Sequence, residues 1–145
     1  MPADDPFGLQ RFVDAHDRMF ETALAELSAG RKQSHWMWFV FPQLVGLGRS
    51  PTAQYFGIRS LEEARAYLTH PLLGPRYRMA VEAILAWAGR KEAAAILGEI
   101  DAMKLRSSLT LFEVASGDPL FARALKSFFD GPDPASLQLL DKPQC

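Results

Sequence analysis

The sequence predicts an all-α (mainly α) protein, a single compact domain of about six or seven helices over residues 1–145 with short flexible ends. Three observations predict it. Apolar residues recur three and four positions apart along most of the chain. Ser, Asp, Gly and Pro stand where such stretches begin and end, and no segment shows the strict alternation of a half-exposed strand. At 145 residues, 48% hydrophobic and 23% charged, the chain has the length and apolar content to bury one core without cross-links.

Asp5-Pro6 reads as an N-cap followed by proline at the first helical position, where a missing N–H costs nothing. Leu9, Phe12, Val13, Met19, Phe20, Ala23, Leu24 and Leu27 then follow helical spacing, with His16 on the same stripe. Gly30 closes a helix expected over about Phe7 to Ala29. Ser34 is placed to cap a short second helix through Phe41, which Pro42 ends. A buried strand would also fit this apolar run. Leu44 to Gly57 reads as a long loop punctuated by Gly46, Gly48, Ser50, Pro51 and Gly57, a length often tied to function. Ser60-Leu61-Glu62-Glu63 is a capping box for a helix through Tyr67-Leu68, cut at His70-Pro71. Helices over Arg76–Trp87, Glu92–Leu97, Asp101–Phe112 and Pro119–Phe129 follow, and a last apolar segment spans Leu137–Leu140.

Composition narrows the function. Sixteen basic and seventeen acidic residues leave a net charge of −1, whereas a dedicated nucleic-acid binder carries a basic excess; a local basic patch survives this argument. The one cysteine, Cys145, ends the chain, so no internal disulfide or Cys/His ligand set is available. The three histidines form no i,i+3 or i,i+4 pair, and no metal site is expected. The segment Gln33 to Gly48 is the longest run free of Asp, Glu, Lys and Arg, and it is too short and too polar to span a membrane. With no basic, apolar leader at the start, a cytoplasmic location is expected.

The candidate chemistry centres on Gly30-Arg31-Lys32-Gln33-Ser34-His35-Trp36-Met37-Trp38. Cations beside a helix start suit an anion, with His35 as acid, base or donor. The bland alternative is that Ser34 caps, Arg31 and Lys32 are solvated, and His35 packs at the edge. Trp36 and Trp38 lie about 200° apart on a helix, so they serve two different surfaces, core or ligand. Gln43 adds an amide at the end of the block, and Tyr55 an aromatic wall. His70 either caps a carbonyl or lines a site with Arg76. Lys104, Ser107, Ser108 and Thr110 give the Asp101–Phe112 helix a polar face, which suits anion binding or plain solvation better than a serine–lysine nucleophile. Gly46-Leu47-Gly48-Arg49-Ser50 is a weak phosphate-loop signal without the Gly-Lys-Ser/Thr ending.

The block Ser34-His35-Trp36-Met37-Trp38-Phe39-Val40-Phe41-Pro42-Gln43 resembles a bacterial family of small uncharacterised proteins. The likeness extends over Asp5-Pro6, Leu9 to Val13, Gly30 to Lys32, Gly46 to Gly48, Tyr55 to Ile58, Tyr67-Leu68, His70-Pro71, Lys104-Leu105, Ser107-Ser108 and Thr110 to Phe112. The resemblance implies a compact, mostly helical domain of unknown function, with no activity, substrate or cofactor to carry over. Some members are labelled "calpastatin"; that label implies extended inhibitor repeats, whereas this chain reads as one globular unit.

The residues favour a small anionic ligand, a nucleotide or phosphorylated metabolite, with turnover left open. In this reading Arg31, Lys32 and His35 meet Lys104, Ser107 and Ser108 across a cleft walled by Trp36 or Trp38 and Tyr55. The rival reading is an interaction module or homo-oligomer built on an exposed Trp-rich patch. Nothing in the sequence names a cofactor.

Overall fold

The computed structural model describes residues 5–141, and among these nine helices form: α1 (Gln10–Ala29), α2 (Met37–Val40), α3 (Pro51–Phe56), α4 (Leu61–Thr69), α5 (Leu73–Leu85), α6 (Ala93–Leu97), α7 (Glu99–Ser116), α8 (Pro119–Phe128) and α9 (Pro134–Asp141). The count exceeds the six or seven expected because α3 forms within the segment read as a loop and α9 forms around the last apolar segment. The only strand-like pairing among the described residues is an isolated parallel bridge between Leu44 and Ile58. Cys145 lies outside the described residues.

α1 begins later than expected. Asp5 still caps it, but from a preceding turn: its two carboxylate oxygens accept the N–H groups of Leu9 (2.7 Å) and Gln10 (3.0 Å). Gly30 ends α1 in the left-handed region at φ 73°, where a Cβ would also strike the Trp87 ring at 2.8 Å. The expected loop Leu44–Gly57 contains α3. Ser50 accepts the Ala53 N–H at 3.1 Å and Pro51 occupies the first turn, the same start signal read at Asp5-Pro6.

α7 is the central helix. It packs against α4, α6, α8, α9 and α2, while α1 lies on α5 and α2, and α5 also touches α4 and α8. A helix surrounded in this way is apolar on most sides, and Leu105, Leu109, Leu111 and Phe112 are all fully buried. The hydroxyls expected to make its polar face are buried too. Ser107 donates to the Met103 carbonyl (3.2 Å) or Asp133 (3.1 Å), and Thr110 donates to Arg106 O at 2.8 Å. Ser108 meets the Tyr77 hydroxyl at 2.8 Å. These bonds remove the cost of burying a polar group.

The core continues through an aromatic cluster. Tyr77 lies 4.5 Å from Phe112, 5.2 Å from Phe121 and 5.7 Å from Phe41 between ring centroids, and Tyr67 stands edge-on to Phe12 at 5.1 Å. Burying each such ring contributes about 1.5–3 kcal/mol. Burial pushes both tyrosine hydroxyls well above their ordinary range, so they stay neutral.

Candidate functional site

Glu26 on α1 shapes the Ser-His-Trp-Met-Trp block. Its carboxylate accepts the N–H groups of Gln33 (2.8 Å) and Ser34 (2.9 Å), the Ser34 hydroxyl (2.6 Å) and the Trp36 indole N–H (2.9 Å). Burial works to raise this carboxyl, but hydrogen bonds from Ser34, Gln33 and Trp36 outweigh it and hold the group at about 2. Ser34 is therefore committed to Glu26 and does not cap α2, which starts after Trp36 and makes a single turn.

The chain emerging from this clasp carries Lys32 to α7. Its ammonium sits 3.0 Å from Asp101 Oδ2 and 5.3 Å from the centre of the Trp36 ring. Lys104, one turn along α7, lies 3.6 Å from Asp101 Oδ1, and its ammonium stands 5.1 Å from the Trp38 ring centre. One carboxylate thus joins two lysines far apart in sequence, each resting on a different tryptophan.

Lys104 also stands where two hollows adjoin. A narrow recess is lined by Met37, Trp38, Phe41, Gln43, Phe56 and Lys104. Beside it runs an open groove of about 350 Å³ bordered by Gln43, Leu47, Gly48, Ile100, Met103, Lys104, Ser107, Asp133 and Ala135. Its walls are mainly aliphatic. Ile100 and Met103, 74% and 70% exposed, form an apolar lip on α7. Asp133 closes the far end, accepting from the Ser107 and Ser136 hydroxyls at 3.1 and 2.7 Å.

Of the residues singled out from sequence, Gln43, Trp38, Lys104 and Ser107 therefore border one pair of hollows, with Lys32 and Trp36 joined to them through Asp101. Trp36 itself is fully buried. Ser108 faces Tyr77 instead, because adjacent residues point about 100° apart on a helix and only one can face the groove. Arg31 and His35 are exposed outside the groove, and Tyr55 is exposed on α3 with its ring 4.8 Å from Phe56.

His70 and Arg76 lie elsewhere. His70 Nδ1 accepts the Leu72 and Leu73 N–H groups at 3.1 and 3.3 Å, starting α5. The Arg76 guanidinium stands 4.9 Å from the Phe20 ring centre, and its Nη1 is buried without a hydrogen-bond partner among the described residues. Phe20 also stacks on His16, whose Nε2 donates to the Phe39 carbonyl at 2.8 Å. Desolvation lowers the His16 pKa to about 4, with the Phe39 carbonyl opposing and the Arg76 charge assisting.

Asp101, Asp133, Ile100 and Leu47 carry weight in the groove without having been singled out as site residues. Of these, Leu47 alone stands within a motif noted in the sequence, the weak phosphate-loop signal Gly46-Leu47-Gly48-Arg49-Ser50. Among the described residues, no three His, Cys, Asp or Glu side chains gather where they could hold a metal ion. No helix of the described residues is long and apolar enough to cross a membrane.

Comparison with known proteins places this geometry in a family. The family described as protein of unknown function (DUF1810) matches residues 6–140. The conserved hypothetical protein Rv1873 from Mycobacterium tuberculosis, known from a crystal structure, is 45% identical. The alignment covers 96% of this chain and 100% of that one, with a TM-score of 0.92. A comparison with curated proteins found no match.

Proposed function

The chain belongs to the DUF1810 family of proteins of unknown function, and on that premise we propose that it binds a small anionic ligand with an aliphatic body in the groove beside α7. The observation that supports this is the position of Lys104, a cation at the meeting point of a mainly aliphatic groove and an aromatic recess. Apolar walls with one or two convergent polar groups are the usual make-up of small-molecule sites. Lys104 takes a carboxylate or phosphate head, Gln43 and Ser107 supply hydrogen bonds, and Leu47, Ile100 and Met103 cover the body. Lys32 and Lys104 share the single charge of Asp101, which leaves one positive charge at the Lys104 end of the groove, while the Asp133 carboxylate is engaged by the Ser107 and Ser136 hydroxyls. The aliphatic walls suit an acyl or branched carboxylate or an alkyl phosphate better than a planar base.

A thermal-shift screen over aliphatic carboxylates, alkyl phosphates, phosphosugars and nucleotides tests the proposal. A ligand at about 100 times its Kd stabilises the fold by roughly 2.7 kcal/mol. Lys104→Met keeps the side-chain stem and removes the charge, so it should abolish the shift. A shift unchanged in Lys104→Met, or no shift from any aliphatic anion, would overturn the reading.

A second reading, an interaction module, draws on the exposure of Ile100 and Met103, which a protein partner or second copy would cover. The most exposed large apolar residues among the described residues are these rather than tryptophans: Trp36 is buried and Trp38 and Trp87 are half-buried. Sedimentation over a range of concentrations tests it. Self-association lost in Ile100→Asp supports the module, and a monomer at every concentration removes the homo-oligomer form.

A further inference from the structure

At the end of the molecule formed by the α5–α6 connection and the end of α8, two open depressions adjoin. One, of about 390 Å³, is lined by Gly89, Arg90, Lys91, Glu92, Ser127 and Phe128. The other, of about 470 Å³, is lined by Arg106, Lys126, Ser127, Phe128, Phe129 and Asp130. Ser127 and Phe128 belong to both, so the two form one continuous surface with an aromatic ring at its middle.

The charge on this surface is one-sided. Four cations, Arg90, Lys91, Arg106 and Lys126, face two carboxylates, Glu92 and Asp130, in a chain whose overall charge is −1. None of the four cations has a carboxylate within 4 Å among the ion pairs of the described residues. Arg90, Lys91 and Lys126 are exposed. Aromatic rings and backbone carbonyls hold three of them, Arg90, Lys91 and Arg106, in place instead. The Arg90 guanidinium and Lys91 ammonium stand 4.7 and 5.3 Å from the Trp87 ring centre, and Lys91 Nζ donates to the Gly30 carbonyl at 2.9 Å. Arg106 Nε donates to the Gly131 carbonyl at 2.9 Å, with its guanidinium 5.8 Å from the Phe129 ring.

Cations kept off carboxylates and spread over a shallow surface match a chain of phosphates better than one compact anion, because each phosphate meets its own cation. The half-buried Phe128 between them offers a face on which a base can stack. From this geometry we infer that the surface built on Arg90, Lys91, Phe128, Lys126 and Arg106 binds single-stranded nucleic acid. It reads the backbone by charge and one base by stacking, and it stands apart from the groove beside α7. The overall charge confines the contact to this patch and keeps it short.

The test is fluorescence anisotropy of a short labelled oligothymidylate titrated with the full chain over a range of salt. If all four cations meet phosphates, log K against log salt should fall with a slope of roughly −3 for a single strand. Arg90→Glu with Lys126→Glu, both at exposed positions, should lower affinity at least tenfold at an unchanged melting temperature. Phe128→Leu keeps an apolar side chain but removes the stacking face, so it should weaken the oligothymidylate and leave inorganic polyphosphate unaffected. Failure to bind at low salt, affinity unmoved by the charge reversal, an oligothymidylate affinity unmoved by Phe128→Leu, or an equal affinity for polyglutamate would each overturn the inference.

Discussion

Two buried or half-buried polar side chains on α1 set the local electrostatics. Glu26 gathers four hydrogen bonds from residues seven to ten positions downstream and holds Trp36 in the core. That role was not legible in the sequence, because it depends on the reversal at Gly30, whereas Ser34 beside an apolar run looks like an ordinary cap. His16 was legible as a residue on the buried stripe, but not as an imidazole whose Nε2 is fixed by Phe39 O. Its pKa falls from 6.5 to about 4 on folding, so the unfolded chain takes up the proton first. The fold therefore loses stability as pH drops from 6.5 towards 4. Glu26 loses its contribution only at lower pH, between its ordinary value and about 2. Denaturant unfolding at pH 7.5 and 4.5 should show a loss of about 2–3 kcal/mol in the natural chain. The loss should be largely missing in His16→Gln; an equal loss in both would contradict the assignment.

At the scale of elements, punctuation was the most legible signal. Ser60 caps α4 by accepting the Glu63 N–H at 3.0 Å, and Asp118-Pro119 starts α8 with Asp118 accepting from Leu120 at 3.0 Å. The same kind of signal at Ser50-Pro51 stands among glycines that read as loop, and the structure forms α3 there. The α7 hydroxyls misled in the opposite direction. Residue type suggested a polar face, and only the packing of α4, α8 and α9 around α7 shows why Ser107, Ser108 and Thr110 are inside. The junction of α4 and α5 gives a sharp test. A Cβ on Gly74 would run into the Leu68 carbonyl, which is backbone and cannot swing away. Gly74→Ala should destabilise the fold by about 2–3 kcal/mol, as overpacking does, measured by chemical denaturation. A neutral effect would mean that α4 and α5 separate more easily than this contact implies.

Over the whole molecule, α7 ties core to surface. Its middle is buried on nearly all sides, while its first turns carry Ile100, Asp101, Met103 and Lys104 to the groove. The sequence placed Lys104, Ser107, Trp38 and Gln43 among the candidates, and they do share one region. It expects Lys32 to meet Lys104 across a cleft but does not supply Asp101, the carboxylate between them, because that depends on a connection from the far end of α1 reaching α7. The binding groove and the basic end of α8 present different chemistries, aliphatic around one lysine against cationic around one phenylalanine, and each predicts its own ligand. Amide NMR of the isotopically labelled protein, titrated with the best aliphatic carboxylate or alkyl phosphate, separates them in one experiment. The account predicts saturable shifts at Leu47, Gly48, Ile100, Met103, Lys104 and Ser107, with Arg90, Lys91 and Lys126 unmoved. Shifts centred on Arg90 and Lys126, or no saturable shift along α7, would contradict it.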